Sequence, residues 1–380
     1  MEKIPFIFGK IAESGEFTDR EKEIEKMKNN FISLTNTTIL SPRRWGKTSL
    51  VNKVGKLVMS ENSHIKVAFV DVFNVRSEKE FYFALVKSVF DATASKWEEI
   101  AENAKQFLSH LIPKISFSGD NSEISFGLEW EEMKKNIDDM LNLAEQIAIK
   151  KKISIIVCID EFQTISEFED PLAFQRKLRS NWQKHSHVGY CIYGSKRHML
   201  MDIFTNPSMP FYKFGDLIFL TKIETSVWQD FITKRFDETK KKISRENAKL
   251  IADLVDNHPY YVQQLAQQSW LLCDKECTKT DVRNARQNII DQLSLLFIKI
   301  SESMSTLQHQ LLKAILSGEK QLSSQHTLAK YNLGTSAAIP RLRNSLLERE
   351  IIDMTSKREI ELQDPMFKAW LKQIYFNCYD

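Results

Sequence analysis

The chain has 380 residues, of which 53 are Lys or Arg and 50 are Asp or Glu, for a net charge of +3. At about 150 residues per domain this is two to three domains with room for sizeable cores, and the near balance of charge excludes both a globally basic nucleic-acid coat and an acidic tail protein. With 42% hydrophobic residues but only 11 Gly and 9 Pro, long helices are favoured over a turn-rich all-β fold.

The opening residues, MEKIPFIFGK, lack the basic segment, apolar stretch and cleavage site of a secretory signal. No stretch reaches the roughly 18 apolar residues of a membrane span. Five cysteines are an odd number, and two of them, Cys158 and Cys191, fall in predicted strands, so a disulfide framework is not expected. A reduced, cytoplasmic setting without membrane contact follows as the expectation.

Along the chain, short apolar runs occur at 37–40, 67–72, 153–159, 188–193 and 217–220. Most are unbroken by charge, as in strands buried on both faces of a parallel sheet. Helical spacing separates them, with Phe81, Leu85 and Val89 on one face and Trp130, Met133, Ile137 and Met140 on another. Strand alternating with helix predicts βαβ units and a doubly wound α/β sheet. Within this region, 114–127 alternates apolar and polar residues around Gly119-Asp-Asn121, the pattern of an inserted β-hairpin.

Beyond residue 222 the strand pattern stops. Helices are predicted at 228–235, 245–255, 260–273 and 281–300, an all-α unit spanning 223–301 after a core of 1–222. Cys273 and Cys277 have the i,i+4 spacing of neighbours on a predicted helix; without a nearby His or second Cys pair they read as packed small side chains, not metal ligands. Helices at 307–316, 324–331 and 336–349, then strands at 351–354 and 359–362, give the order of a winged helix over 302–380.

The sharpest chemical signal is Ser41-Pro-Arg-Arg-Trp-Gly-Lys-Thr48, between a predicted strand and a predicted helix. A phosphate-binding loop needs that placement, because successive backbone N–H groups and a helix N-terminus wrap the phosphates. Arg43, Arg44, Trp45, Gly46, Lys47, Thr48 and Ser49 are the expected nucleotide contacts. Lys47 would reach the β- and γ-phosphates, and the Thr48 hydroxyl would bind Mg²⁺. Ser41 stands where the pattern usually has its first Gly.

A Gly-Lys-Thr triplet alone also fits an ordinary strand-to-helix loop with a solvated lysine. Ile155-Ile-Val-Cys-Ile-Asp-Glu161 supplies the second element, an apolar strand that delivers two carboxylates to the same sheet edge. Asp160 would hold the Mg²⁺, and Glu161 would polarise the water that attacks the γ-phosphate. Gly189-Tyr-Cys-Ile-Tyr-Gly-Ser195 ends a third strand, where Ser195 would sense the γ-phosphate or position water, or else merely cap the next helix.

In this order the motifs resemble the archaeal-type ATPase family within the AAA+/STAND group of P-loop ATPases, relatives of origin-recognition-type initiator ATPases. Phe17-Thr-Asp-Arg-Glu-Lys-Glu-Ile24 resembles the family's helix beside the adenine, which implies nucleotide contact for Arg20. Ile159-Asp-Glu-Phe-Gln163 and Pro210-Phe-Tyr212 also match, and His258-Pro-Tyr-Tyr-Val262 is similar to the Gly-x-Pro motif of the lid, implying contact for Pro259, with Asn257 where Gly is common. Asp364-Pro-Met-Phe-Lys-Ala-Trp-Leu371 resembles the segment that closes the winged helix.

The resemblance implies an ATP/ADP switch in which Mg²⁺-dependent hydrolysis rearranges lid and winged helix, with a protein partner or self-association. An ATP-gated DNA-binding factor and a nucleotide-binding scaffold without turnover are the alternatives. No arginine is singled out as a finger or sensor among Arg176, Arg179, Arg197 and Arg235. Residues 301–380 carry ten Lys or Arg against nine Asp or Glu, whereas a DNA-binding domain shows a basic excess. That near neutrality favours protein contact over DNA, although Arg341 and Arg343 lie on the third predicted helix.

Overall fold

Val, Ile and Leu dominate the runs at the centre of the sheet, and β-branched side chains favour extended backbone when both faces are buried. In the computed structural model, which describes residues 4–12, 17–93, 137–354 and 359–377, these runs form β1 (Thr37–Leu40), β2 (Ile65–Asp71), β3 (Ser154–Asp160), β4 (Val188–Tyr193) and β5 (Asp216–Phe219). The sheet has the order β2-β3-β4-β1-β5 and is parallel throughout. Parallel strands present all their carboxyl ends on one edge, so the loops after β1, β3 and β4, three adjacent strands, emerge together. The predicted hairpin at 114–127 lies outside the described residues.

Helices α1 (Glu21–Ile32), α2 (Lys47–Glu61), α3 (Glu78–Thr93), α4 (Ile137–Lys151), α5 (Pro171–Trp182) and α6 (Arg197–Thr205) complete this unit, which comprises Arg20–Arg43 and Lys47–Leu220. Its core is strongly aromatic. Trp182 stacks on Tyr190 at 4.1 Å, and Phe162 packs edge-on against Phe211 at 5.4 Å and beside Phe204 at 5.9 Å. Phe162 is fully buried, and burying such a ring stabilises by about 1.5–3 kcal/mol. It directly follows Glu161, so this packing pins the chain where the acidic pair leaves β3.

A second unit comprises Met1–Asp19, Arg44–Gly46 and Thr221–Asp380. Helices α7 (Thr225–Asp237), α8 (Arg245–Asp253), α9 (Pro259–Leu272) and α10 (Lys279–Glu302) lead into α11 (Thr306–Leu316), α12 (Gln325–Lys330) and α13 (Ala338–Glu348). The antiparallel pair β8 (Ile352–Met354) and β9 (Ile360–Leu362) follows, and α14 (Pro365–Trp370) closes the domain as a C-terminal winged helix. Thr278 with Asp281 and Ser305 with Gln308 form capping boxes that start α10 and α11. One hydrophobic cluster, including Trp228, Val262, Phe297, Leu311 and Phe367, runs through the α7–α10 helices and the winged helix.

The expectation of an all-α segment over 223–301 needs correction. Between its helices, β6 (Lys242–Ile243) and β7 (Glu276–Cys277) pair in parallel. Two-residue strands are too short for any alternation to show in sequence. Cys277 is therefore on a strand, while Cys273 caps α9. Both thiols are buried and raised, chiefly by that burial. Among the described residues there is no group of three or more metal-ligating side chains, and no helix is long and apolar enough to cross a membrane.

Candidate nucleotide-binding site

After β1 the chain turns through Ser41 to Gly46 and enters α2 at Lys47. Ser41 is fully buried, and its hydroxyl donates to the Pro42 carbonyl at 3.2 Å. It lies outside the left-handed region, so its backbone does not require the usual glycine. Arg44 (φ 62°) and Gly46 (φ 85°) do adopt left-handed conformations. A Cβ at Gly46 would meet nothing within 4 Å, so its φ and not its surroundings selects glycine. Residues alternating into this conformation form the backbone concavities that hold anions.

Lys47 is 6% exposed, and its Nζ donates to the carbonyls of Pro42 at 2.8 Å and Ser41 at 3.2 Å. Thr48 Oγ1 donates to Asp160 Oδ2 at 2.8 Å, joining the start of α2 to the end of β3. Asp160 Oδ1 accepts the Glu161 backbone N–H at 2.8 Å. Burial is the main force on the Asp160 carboxyl and pushes it up to about 6; the Thr48 bond and Lys47 oppose the rise, and Glu161 adds to it. A carboxyl that buried, beside a hydroxyl oxygen, fits a hard divalent cation, whose charge would favour the ionised form.

Glu161 has a left-handed backbone (φ 56°) and starts a 3₁₀ turn (Phe162–Glu167) without capping it through its side chain. Its Oε2 accepts three hydrogen bonds: from Ser195 N at 3.1 Å, from Ser195 Oγ at 2.8 Å and from Gln163 Nε2. Ser195 therefore faces the acidic pair. The alternative reading of Ser195 as a helix cap is not met, because Lys196 precedes α6 and no side chain caps it. Gln163 belongs to the Ile159-Asp-Glu-Phe-Gln163 stretch of the resemblance, which assigns it no role of its own; the structure sets its amide against Gly194 at the end of β4.

The remaining predicted contacts divide between the two units. Ser49 is buried on α2, and Arg43 is exposed on the loop. Arg20 is 4% exposed in a left-handed conformation (φ 80°) before α1, with Nη1 on Glu23 at 3.1 Å and Nη2 without a hydrogen-bond partner among the described residues. In the second unit, the Arg44 guanidinium lies 4.6 Å over the Tyr260 ring, and Trp45 meets His258 edge-on at 6.3 Å. Pro259 opens α9, where its missing N–H has no helical partner to lose.

Asn257 (φ 56°) has a left-handed backbone, a conformation asparagine tolerates, and its Nδ2 donates to Thr225 Oγ1 at 2.9 Å. Burial pushes the neighbouring His258 imidazole down to about 3, so it is neutral at physiological pH. The Tyr261 hydroxyl donates to Asp364 Oδ2 at 2.5 Å. Two of the arginine candidates are engaged locally: Arg235 pairs with Glu238 at 2.9 Å, and Arg179 lies 4.8 Å over Phe214.

A family model described as an ATPase domain predominantly from Archaea matches residues 17–265, and one described as a probable winged helix domain matches 295–373. Among solved structures, the Walker-type ATPase PABY2304 of Pyrococcus abyssi superposes with a TM-score of 0.64 at 16% identity, covering 94% of this chain and 96% of that one. The ORC2 protein of Aeropyrum pernix in its ADPNP–ADP complexes gives 0.61 at 12% identity, covering 99% and 97%. At such identities these likenesses speak for the fold. No curated protein matches the chain.

Proposed function

The chain belongs to the predominantly archaeal ATPase family, and from that premise we propose that it binds ATP with Mg²⁺ and hydrolyses it to ADP as a switch. The observation that carries this proposal is the 2.8 Å bond between Thr48 and Asp160, which joins the phosphate-loop helix to the acidic strand end. Lys47 would exchange the Ser41 and Pro42 carbonyls for β- and γ-phosphate oxygens. Arg43, Arg44, Trp45 and Gly46 on the loop and Ser49 on α2 would be the phosphate-side contacts, with Arg20 and Pro259 as further nucleotide contacts. Thr48 and Asp160 would hold Mg²⁺, which neutralises charge on the phosphates during transfer. Glu161 polarises the attacking water, and Ser195 fixes the Glu161 carboxylate.

In this proposal 1–222 is the ATPase core, 223–301 the lid and 302–380 the winged helix, and the bound nucleotide biases the placement of the latter two. The partner would be a protein or a second copy. DNA binding is the second reading, resting on Arg341, exposed on α13, and Arg343, half-buried on the same helix.

Calorimetric titration of Mg·ATP into the wild-type chain and Lys47→Ala tests the site. Binding lost in Lys47→Ala is expected, because the lysine supplies the fixed positive charge at the phosphates; unchanged affinity would overturn the assignment.

A further inference from the structure

We propose that Gln163 is a positioning residue for Glu161, acting with Ser195 as a clamp that fixes one carboxylate oxygen and leaves the other to the attacking water. The proposal rests on the ATPase reading above. Ser195 N, Ser195 Oγ and Gln163 Nε2 all converge on Oε2, and none of the three takes Oε1. Hydrogen bonds to an ionised acceptor are the strong ones, and three on one oxygen hold a side chain in a single rotamer. Glu161 needs that help. Its left-handed backbone at the end of β3 is a conformation that non-glycine residues adopt at some cost and that surrounding contacts must maintain.

Two further features mark Gln163 as more than a packed glutamine. It is 3% exposed, yet its Oε1 has no hydrogen-bond partner among the described residues. A glutamine kept only to fill the core would gain by satisfying both ends of its amide, since an unmet buried acceptor is destabilising. Here one end is left unmet while the other is committed to Glu161. The second feature is Gly194. A Cβ there would lie 1.9 Å from Gln163 Oε1 and 3.1 Å from its Cδ. Gly194 is not in the positive-φ region, so space is what bars a side chain: the Gln163 amide first, and after it the Glu161 Cα, 3.2 Å from that Cβ. The end of β4 is thus shaped around this glutamine.

The test compares full-length wild type, Gln163→Ala, Gly194→Ala, the double variant and Glu161→Gln for steady-state ATP hydrolysis, Mg·ATP affinity and melting temperature. Gln163→Ala removes the donor; Gly194→Ala pushes the same amide aside without changing it. Each is expected to lower kcat about ten- to a hundredfold, the worth of one hydrogen bond to a charged group, with ATP affinity within about twofold of wild type. The double variant should lie close to Gln163→Ala alone, because shortening the side chain at position 163 removes the 1.9 Å and 3.1 Å contacts of the added methyl group at position 194 and leaves only its 3.2 Å approach to Glu161 Cα. Unchanged kcat in Gln163→Ala, with turnover abolished in Glu161→Gln, overturns the clamp and leaves the ATPase reading intact. Losses of affinity and melting temperature in step with kcat make Gln163 merely structural and overturn it too. Turnover in Glu161→Gln equal to wild type, or none in wild type, overturns the ATPase reading and the clamp with it.

Discussion

Replacing Asp160 with Asn should stabilise the metal-free protein at pH 8 while removing its response to Mg·ATP. The folded chain holds the Asp160 proton up to about pH 6, against an ordinary value of 3.8. Between those values the folded state binds more protons than the unfolded one, so stability present below pH 3.8 is lost as pH rises through about 6. Some two pK units at 1.36 kcal/mol each make about 3 kcal/mol at pH 8, and about half of that at pH 5. Asn carries no charge to bury and escapes this loss, but its amide reproduces the bonds to Thr48 and Glu161 N imperfectly. A net gain of about 1–3 kcal/mol remains, or about 2–12 °C in melting temperature for a unit of this size. Mg·ATP at a hundred times its Kd should add about 2.7 kcal/mol to the wild type and little to the variant. The assay is thermal melting at pH 5 and pH 8, with and without Mg·ATP. A variant that melts below wild type at both pH values, or that Mg·ATP stabilises equally, would refute the reasoning.

Tyr261→Phe removes the hydroxyl bonded to Asp364 Oδ2, while Oδ1 continues to cap α14 through Met366 N and Phe367 N. Thermal melting should show a loss of about 1.5–3 kcal/mol, as for a hydrogen bond to a charged acceptor; no change would contradict a role for this bond in holding α9 to α14. Duplex-DNA affinity, measured at two salt concentrations with ATP and with ADP, should be weak and only mildly salt-dependent, because ten basic residues face nine acidic ones over 301–380. A steep fall with salt would instead favour the DNA reading.

Much of the core was legible because its signals are local. The runs at 37–40 and 188–193 coincide with β1 and β4, since a short run unbroken by charge can be buried on both faces. Gly46-Lys47-Thr48 and Asp160-Glu161 were readable for the same reason, each being a short motif at a strand end. What stayed hidden depends on contacts between distant segments. The β6–β7 pairing joins segments too short to carry a period, and Cys277 was misplaced with it. The bond from Ser195 to Glu161 appears only when β3 and β4 are neighbours. Gln163 sits two residues from Glu161, yet its reach back to the carboxylate depends on a left-handed turn at Glu161 that no propensity announces.

The central claim, that this site hydrolyses ATP through Glu161, is tested most directly by single-turnover release of phosphate from Mg·ATP by wild type beside Glu161→Gln. Both proteins should bind Mg·ATP with similar affinity, and the variant should release phosphate at least about a hundredfold more slowly, as expected for loss of a general base. Equal rates in the two proteins, or no release by wild type that has bound the nucleotide, would contradict the account.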